Sequence, residues 1–443
     1  MSSSGPTTSL SRVSGLGRLV QALPRGTVTV GVGLGVLGLA SYVHLAAAGH
    51  VLDDADMSSL SVLWSIVFAV GLGLFVPVEQ EMARLVAAGR ATRPGARLVL
   101  VRGAAFAGGA FGLLLAAIAL LRRPIAERLF AGDVGLVWAL VGALGALAIA
   151  HTTRGVFAGR GRFGWYSAQL GIDGGLRIGL ALAFFVGRLD SAVWFSLILT
   201  LAPVASVLLT LPAVVAESRS AGPPATWGAF ARGLGLLTAS SLAAQLLVNV
   251  AVINARLLDP EDVAIAAALL AATVLVRIPL FVFASLQASL LPSLSQAIAE
   301  GDQAGFRRQL TRGLVAVTLL GGVGGVVTVA LGPWLAVLLF DTPDVLGAGD
   351  FAWLAVGTLA YLWAMVLGQG VLAQGRHHQQ TAAWVVGIVV LAAVTLLPGG
   401  VALRVELGYA AGSAAVAALL AVWLRRPHQP VSVTGQSLGG TAR

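Results

Sequence analysis

Apolar runs of roughly 20 residues recur from one end of this chain to the other, and nothing else in the sequence limits its fold as much. A helix needs about 20 such residues to cross the hydrocarbon core of a bilayer. A backbone in lipid must satisfy its polar groups internally, and in this chain helices do so. Candidate spans lie at 26–48, 58–82, 98–121, 134–157, 165–187, 191–216, 232–256, 263–290, 312–340, 349–373, 381–398 and 401–424. The expected fold class is all-α: a polytopic membrane protein of about twelve transmembrane helices. Charged residues are 11% of the 443, against about 25% in a soluble domain. No loop is long enough to hold a folded extramembrane domain, which argues against an enzyme.

Residue types that are missing narrow the chemistry. There is no Cys, so disulfides, thiolate metal sites and Cys nucleophiles are excluded. All 28 basic residues are Arg. Without Lys there is no Walker A loop to reach the phosphates of ATP, and no Schiff-base chemistry. No cofactor or metal is expected. His44, His50, His151, His377, His378 and His428 form no ligand pattern on one helix, and interfacial or loop positions are expected for them. Gly33-Leu-Gly35-Val-Leu-Gly38 has dinucleotide-fingerprint spacing but lies inside the first span with no strand before it. Close helix packing through Gly31 and Gly35 is expected instead.

The net charge of +9 follows from topology and does not call for a nucleic-acid partner. With the N-terminus in the cytoplasm, the cytoplasmic segments hold Arg12, Arg18, Arg25, Arg84, Arg90, Arg93, Arg97, Arg102, Arg154, Arg160, Arg162, Arg219, Arg232, Arg307, Arg308, Arg312, Arg376, Arg425, Arg426 and Arg443. The outer loops hold Arg122, Arg123, Arg128, Arg188, Arg256 and Arg404, together with Asp53, Asp54, Asp56, Asp259, Glu261, Asp262, Asp341, Asp344 and Asp350. Arg in excess marks cytoplasmic loops. An even span count, both termini inside and a bacterial cytoplasmic membrane are therefore expected.

Two halves of the chain echo each other. Arg97-x4-Arg102-Gly103 recurs as Arg307-x4-Arg312-Gly313, an offset of 307 − 97 = 210. Gly155-Val156-Phe157-Ala158 recurs as Gly370-Val371-Leu372-Ala373, and Gly161-Arg162 as Gly375-Arg376, offsets of 370 − 155 = 215 and 375 − 161 = 214. This spacing predicts a duplicated six-helix unit: a basic tail at 1–25, a lobe at 26–216, a cytoplasmic linker at 217–231, a second lobe at 232–424 and a tail at 425–443. Two six-helix lobes in the same orientation surround a central cavity and can rock about it, as in alternating-access transporters.

Charges inside the spans are the candidate site residues. Arg277 lies in the middle of the eighth span, where insertion costs about 2.5–3.5 kcal/mol. Pro279 permits a kink beside it. A guanidinium there suits phosphate, because its planar fork donates two hydrogen bonds and stays charged. Asp173 and Arg177 share a face of the fifth span at i, i+4 and can neutralise each other or line the same cavity. Gln245, Asn249 and Asn254 are polar groups of the seventh span. Glu79, Glu81 and Arg84 close the second span as candidates for a cytoplasmic gate, with Glu81 and Arg84 at pairing distance i, i+3.

Pro77-Val-Glu79-Gln80-Glu81 closing the second span and Gly159-Arg160-Gly161-Arg162-Phe163-Gly164-Trp165-Tyr166 entering the fifth, on a layout of two times six spans, resemble the multidrug/oligosaccharidyl-lipid/polysaccharide exporter superfamily, on its bacterial polysaccharide flippase branch. The resemblance covers nearly the whole chain. It implies a flippase moving a polyprenyl-pyrophosphate-linked oligosaccharide from the inner to the outer leaflet, with cavity cations such as Arg277 and Arg177 on the pyrophosphate. In the related lipid II flippases an Arg on the eighth helix contributes, and Arg277 matches it by span and depth. Those proteins also carry Arg in the first two spans. Here the first span has none, and Arg84 sits at the end of the second, which points to another glycolipid. Expected partners are the lipid-linked oligosaccharide, membrane lipids, and a glycan polymerase or glycosyltransferases, with the chain itself a monomer. The rival functions are an organic-cation antiporter of the same superfamily, with an acidic cavity, and a membrane glycosyltransferase or ligase, with a large catalytic outer loop.

Overall fold

The computed structural model describes residues 27–89, 95–222 and 226–426. Arg12, Arg18, Arg25, Arg90, Arg93, His428 and Arg443, with the tail at 1–25 and most of the one at 425–443, lie outside the described residues. Twelve spans follow in order. They are Thr27–Gly49, then Asp54–Gly89, Arg97–Leu120, Val134–Arg160, Phe163–Val186, Ala192–Glu217, Trp227–Leu258, a broken eighth, Gln303–Phe340, Ala348–Ala373, His377–Thr395 and Val401–Arg425. Eleven are each long and apolar enough to cross a membrane. The eighth consists of Val263–Val276 and Ile278–Ala299, with Arg277 between them. A short helix, Arg122–Leu129, follows the third span.

The acidic bias of one end of the bundle has a local cause. Asp53, Asp133 and Asp262 each begin a helix there and accept from the backbone N–H groups of Asp56 (2.8 Å), Gly135 (2.6 Å) and Ile265 (3.2 Å). A carboxylate at a helix N-terminus satisfies an orphan donor and meets the positive end of the helix dipole.

The second span contains a π-helical stretch, Val67–Leu72, shortly before Pro77. Proline removes a helical N–H and clashes one turn back, and a wider turn is one way a helix absorbs this. The seventh helix starts at Trp227, inside the expected linker. Phe230 of its first turn packs with Phe75 and Val78 of the second span, so the second lobe is keyed into the first.

The two lobes repeat one packing scheme. In the first, span 1 packs on 5, span 2 on 3 and 4, span 3 on 4, span 4 on 6, and span 5 on 6; in the second, the spans six places later pair the same way. The repeated Gly-Arg pairs occupy identical turns. Gly161 (φ 71°) and Gly375 (φ 73°) both end a helix in the left-handed conformation that glycine adopts without strain. The Arg162 N–H then bonds the Phe157 carbonyl (2.8 Å) and the Arg376 N–H the Val371 carbonyl (3.1 Å). Each arginine side chain reaches the end of the sixth helix of its lobe: Arg162 to Glu217, and Arg376 to the Trp423 carbonyl at 2.8 Å.

Glycine packing in the first span differs from expectation. The close approach is at Gly33, where a Cβ would meet Ser167 of the fifth span, while Gly31 and Gly35 have open space. At the acidic end the lobes touch directly: a Cβ on Gly49 would collide with the Phe340 carbonyl that ends the ninth span.

Candidate functional site

Arg277 sits in the break of the eighth span, two residues before Pro279. Pro279 offers no N–H, and Arg277 takes φ −90°, ψ 1° as the last residue of one helix and the first of the next. The helix is interrupted at Arg277, next to the position where Pro279 permits a kink. Beside it the Tyr42 hydroxyl, from the first span and therefore the other lobe, donates to the Val274 carbonyl at 3.1 Å.

The Arg277 side chain is half-buried among polar, uncharged groups. Its Nη1 donates to Asn249 Oδ1 at 3.0 Å. Asn249 is held in turn, its Nδ2 donating to the Gln245 backbone carbonyl at 2.9 Å and to Gln245 Oε1 at 3.2 Å. The Tyr409 hydroxyl accepts from the guanidinium, and Tyr361 and Tyr42 lie within its field. Tyr409 also meets Thr358 Oγ1 at 3.2 Å. Among the described residues no carboxylate pairs with Arg277, and its buried Nε has no partner. Thus Arg277 of the eighth span forms one cluster with Asn249 and Gln245 of the seventh; Tyr409 and Tyr361 join it from the twelfth and tenth spans.

The charges of the first lobe are arranged differently. Asp173 is 1% exposed and lies between two arginines, Arg177 Nη2 at 3.2 Å on its own helix and Arg154 Nη2 at 3.2 Å on the fourth span. Arg154 is therefore not a cytoplasmic-loop residue: it is 4% exposed and bridges two membrane helices. His151, one turn away, is likewise buried and not interfacial, and so is His44, which stacks edge-on against Trp64 at 5.3 Å between centroids.

Glu79 faces this network and not the basic loops. His151 Nδ1 lies 2.6 Å from Glu79 Oε2, and the Tyr166 hydroxyl donates to Oε1 at 2.7 Å. Glu81 pairs with Arg84 along its own helix, Nη2 to Oε1 at 2.6 Å and Nε to Oε2 at 2.8 Å. Glu217, in contrast, ties the turn between the fourth and fifth spans to the sixth through Arg160 (3.0 Å) and Arg162. Every acid of the first lobe's spanning segments that the structure places near the network already has its donors, and the Arg154–Asp173–Arg177 set carries a surplus positive charge.

Between the lobes, in the basic half of the bundle, lies an apolar cleft of about 430 Å³. It is lined by Leu74, Val78, Phe106, Leu234 and Thr238 among others, from the second, third and seventh spans. At its basic end the Arg102 guanidinium lies over the Trp227 ring, 4.0 Å from the centroid.

No protein-family profile matches the chain. It is 26% identical over 395 residues to an uncharacterised protein of Mycobacterium bovis, covering 85% of this chain and 87% of that one. It is 27% identical over 423 residues to an uncharacterised protein of Mycobacterium tuberculosis, covering 91% and 93%. Among solved structures it is similar to an inward-facing multidrug resistance MATE family transporter of the MOP superfamily, with TM-score 0.69, 14% identity, and coverage of 89% of this chain and 97% of that one. It is also similar to a MOP superfamily transporter from Pyrococcus furiosus, described by a reversed polarity of its binding pocket that suggests a different function, with TM-score 0.66, 15% identity and coverage of 90% and 93%. The chain is a multi-pass helical membrane protein with the MATE-like fold of about twelve helices.

Proposed function

We propose that the protein is an alternating-access transporter for an anionic amphiphile, and that its substrate class is a polyprenyl-pyrophosphate-linked oligosaccharide moved from the inner to the outer leaflet of a bacterial cytoplasmic membrane. The observation that carries this is Arg277: a cation at mid-span with no carboxylate partner among the described residues and a free buried Nε. A lone guanidinium in low dielectric is stable when an anion neutralises it, and pyrophosphate matches its fork. Arg177 is a secondary ligand in this scheme, recruited when the Asp173 bridge opens. The apolar cleft accommodates part of a polyprenyl tail while the headgroup sits between the lobes. The basic end of the bundle faces the cytoplasm, following the excess of arginine there. Glu79, Glu81 and Arg84 are at that end, where gating takes place.

A second proposal is an organic-cation antiporter, favoured by the likeness to a multidrug transporter. It needs a free acid facing the substrate. In the first lobe Asp173 and Glu79 are already satisfied, which favours the anionic substrate. The glycosyltransferase alternative lacks a catalytic outer loop among the described residues.

The deciding experiment depletes the protein in its host and quantifies polyprenyl-pyrophosphate glycolipids by mass spectrometry, with wild-type and Arg277→Ala complementation. Losing a charge-assisted hydrogen-bond donor costs about 1.5–3 kcal/mol, or roughly 10- to 150-fold in affinity. A glycolipid pool that grows on depletion, and that wild type but not the variant clears, supports the flippase. An unchanged pool with reduced efflux of organic cations overturns it in favour of the antiporter.

A further inference from the structure

Glu406 is the one acid of the twelfth span, Val401–Arg425, and its side chain is fully buried at 0% exposure. Among the described residues no hydrogen-bond donor reaches either of its carboxylate oxygens. A buried carboxylate without donors or a counter-charge is costly to keep ionised. The group within hydrogen-bonding reach is another acid, the Asp350 carboxyl, at the start of the tenth span. Asp350 is held in place because its Oδ2 accepts from the Gly347 N–H at 2.7 Å, closing the first turn of that helix. Two carboxyl groups in contact cannot both ionise cheaply. They fit together when one proton lies between them, one group donating and the other accepting.

We propose that Glu406 and Asp350 form a proton-binding site on the acidic face of the second lobe, in which a single proton taken from the outer medium is shared between the two carboxyl groups. Asp350 is half-exposed and Glu406 fully buried, so the proton passes from water to Asp350 and then inward. Among the described residues no cation forms an ion pair with either carboxyl group, and the arginines of the surrounding elements donate to carbonyls. From the seventh span, Arg256 donates to the Pro260 carbonyl at 2.6 Å. On the twelfth span itself Arg404 donates to the Leu397 carbonyl at 3.1 Å. From the end of the eleventh span comes Thr395, whose hydroxyl donates to the Leu391 carbonyl at 2.8 Å. The described residues contain no set of three His, Asp or Glu able to hold a metal ion, which favours a proton over a metal cation.

The position gives the site a route to the substrate. Tyr409 is one helical turn from Glu406 and contacts Arg277. Loss of the shared proton leaves two adjacent carboxylates that repel, which pushes the tenth and twelfth spans apart where Tyr409 is anchored. This link to transport rests on the role given to Arg277 above, while the proton site does not.

The test is infrared pH-difference spectroscopy on the full-length protein in lipid nanodiscs. Wild type is expected to show the carbonyl stretch of one undissociated carboxyl group at neutral pH, lost reversibly as pH rises. E406Q, which keeps the shape of the protonated acid, removes that band. D350N takes away the neighbouring negative charge, so the proton is held about tenfold less tightly and the band is lost at lower pH. R277A retains the band, which separates this site from the substrate assignment. A wild type with no such band, or E406Q with the band unchanged, overturns the proposal. A band that disappears when sodium replaces choline at fixed pH overturns it in favour of a metal-cation site.

Discussion

The hydroxyl of Tyr42, on the first span, donates to the backbone carbonyl of Val274 at 3.1 Å, one turn before the break that carries Arg277. This bond crosses from one lobe to the other and lands where the interrupted helix leaves its carbonyls short of partners. It ties the relative position of the lobes to the residue proposed to bind substrate.

Tyr42→Phe deletes that bond and little else. A hydrogen bond of this kind contributes about 1 kcal/mol net, which corresponds to a roughly fivefold change in the ratio of two conformations. With spin labels on His50→Cys and Val345→Cys, in a chain that has no other cysteine, pulsed dipolar spectroscopy should show the alternative distance population rising by about that factor. An unchanged distribution removes Tyr42 from the coupling.

Gly49 packs closely between the lobes at the acidic end, where a Cβ would collide with the Phe340 carbonyl. Any side chain there strikes backbone, which cannot move aside as a flexible side chain would. Gly49→Leu should therefore hold this end open, lengthening the distance between the same two labels, and should abolish transport while the protein remains folded. Wild-type distances in the variant would show that the contact does not gate.

Asp173 pairs with two buried arginines at once. Asp173→Asn removes the carboxylate that pairs with both buried guanidinium groups, for a loss of about 3–5 kcal/mol. The detergent-solubilised variant should melt well below wild type. The combined Arg154→Met, Asp173→Leu, Arg177→Met variant should recover most of that stability, because an apolar trio of similar volume has no charge to desolvate. Recovery of stability without recovery of transport would assign the trio a functional role; recovery of both would make it structural.

Gly161 and Gly375 end equivalent helices with positive φ. Each substitution to alanine forces an L-residue into the left-handed region, at about 1–2 kcal/mol. The two variants should lose similar stability in thermal unfolding, and the double variant should lose close to the sum, since the sites lie in separate lobes. A large loss at one position alone would break the equivalence of the two turns.

The amino-acid sequence by itself determined the number of spans, the charge asymmetry between the two ends and the duplicated glycine turns. Each of these is written locally, in run length, in loop composition and in the Gly161-Arg162 and Gly375-Arg376 pairs. Arg277 was legible for the same reason, since a charge and a proline inside an apolar run are visible without knowing any neighbour. Only the tertiary structure decided which groups meet. His151 and Glu79 are 72 positions apart, and Arg154 and Asp173 are 19 apart. Arg154 falls near the end of the expected fourth span and counts there with the cytoplasmic arginines; only its pairing with Asp173 of the fifth span shows it to be a buried bridge between helices. Glu406, an acid within the twelfth span, is a local signal of the same kind as Arg277. Its meaning comes from Asp350 and from the lack of donors to it among the described residues. A side chain's hydrogen bonds and counter-charges are set by the packing of whole helices, and local residue order carries little record of that.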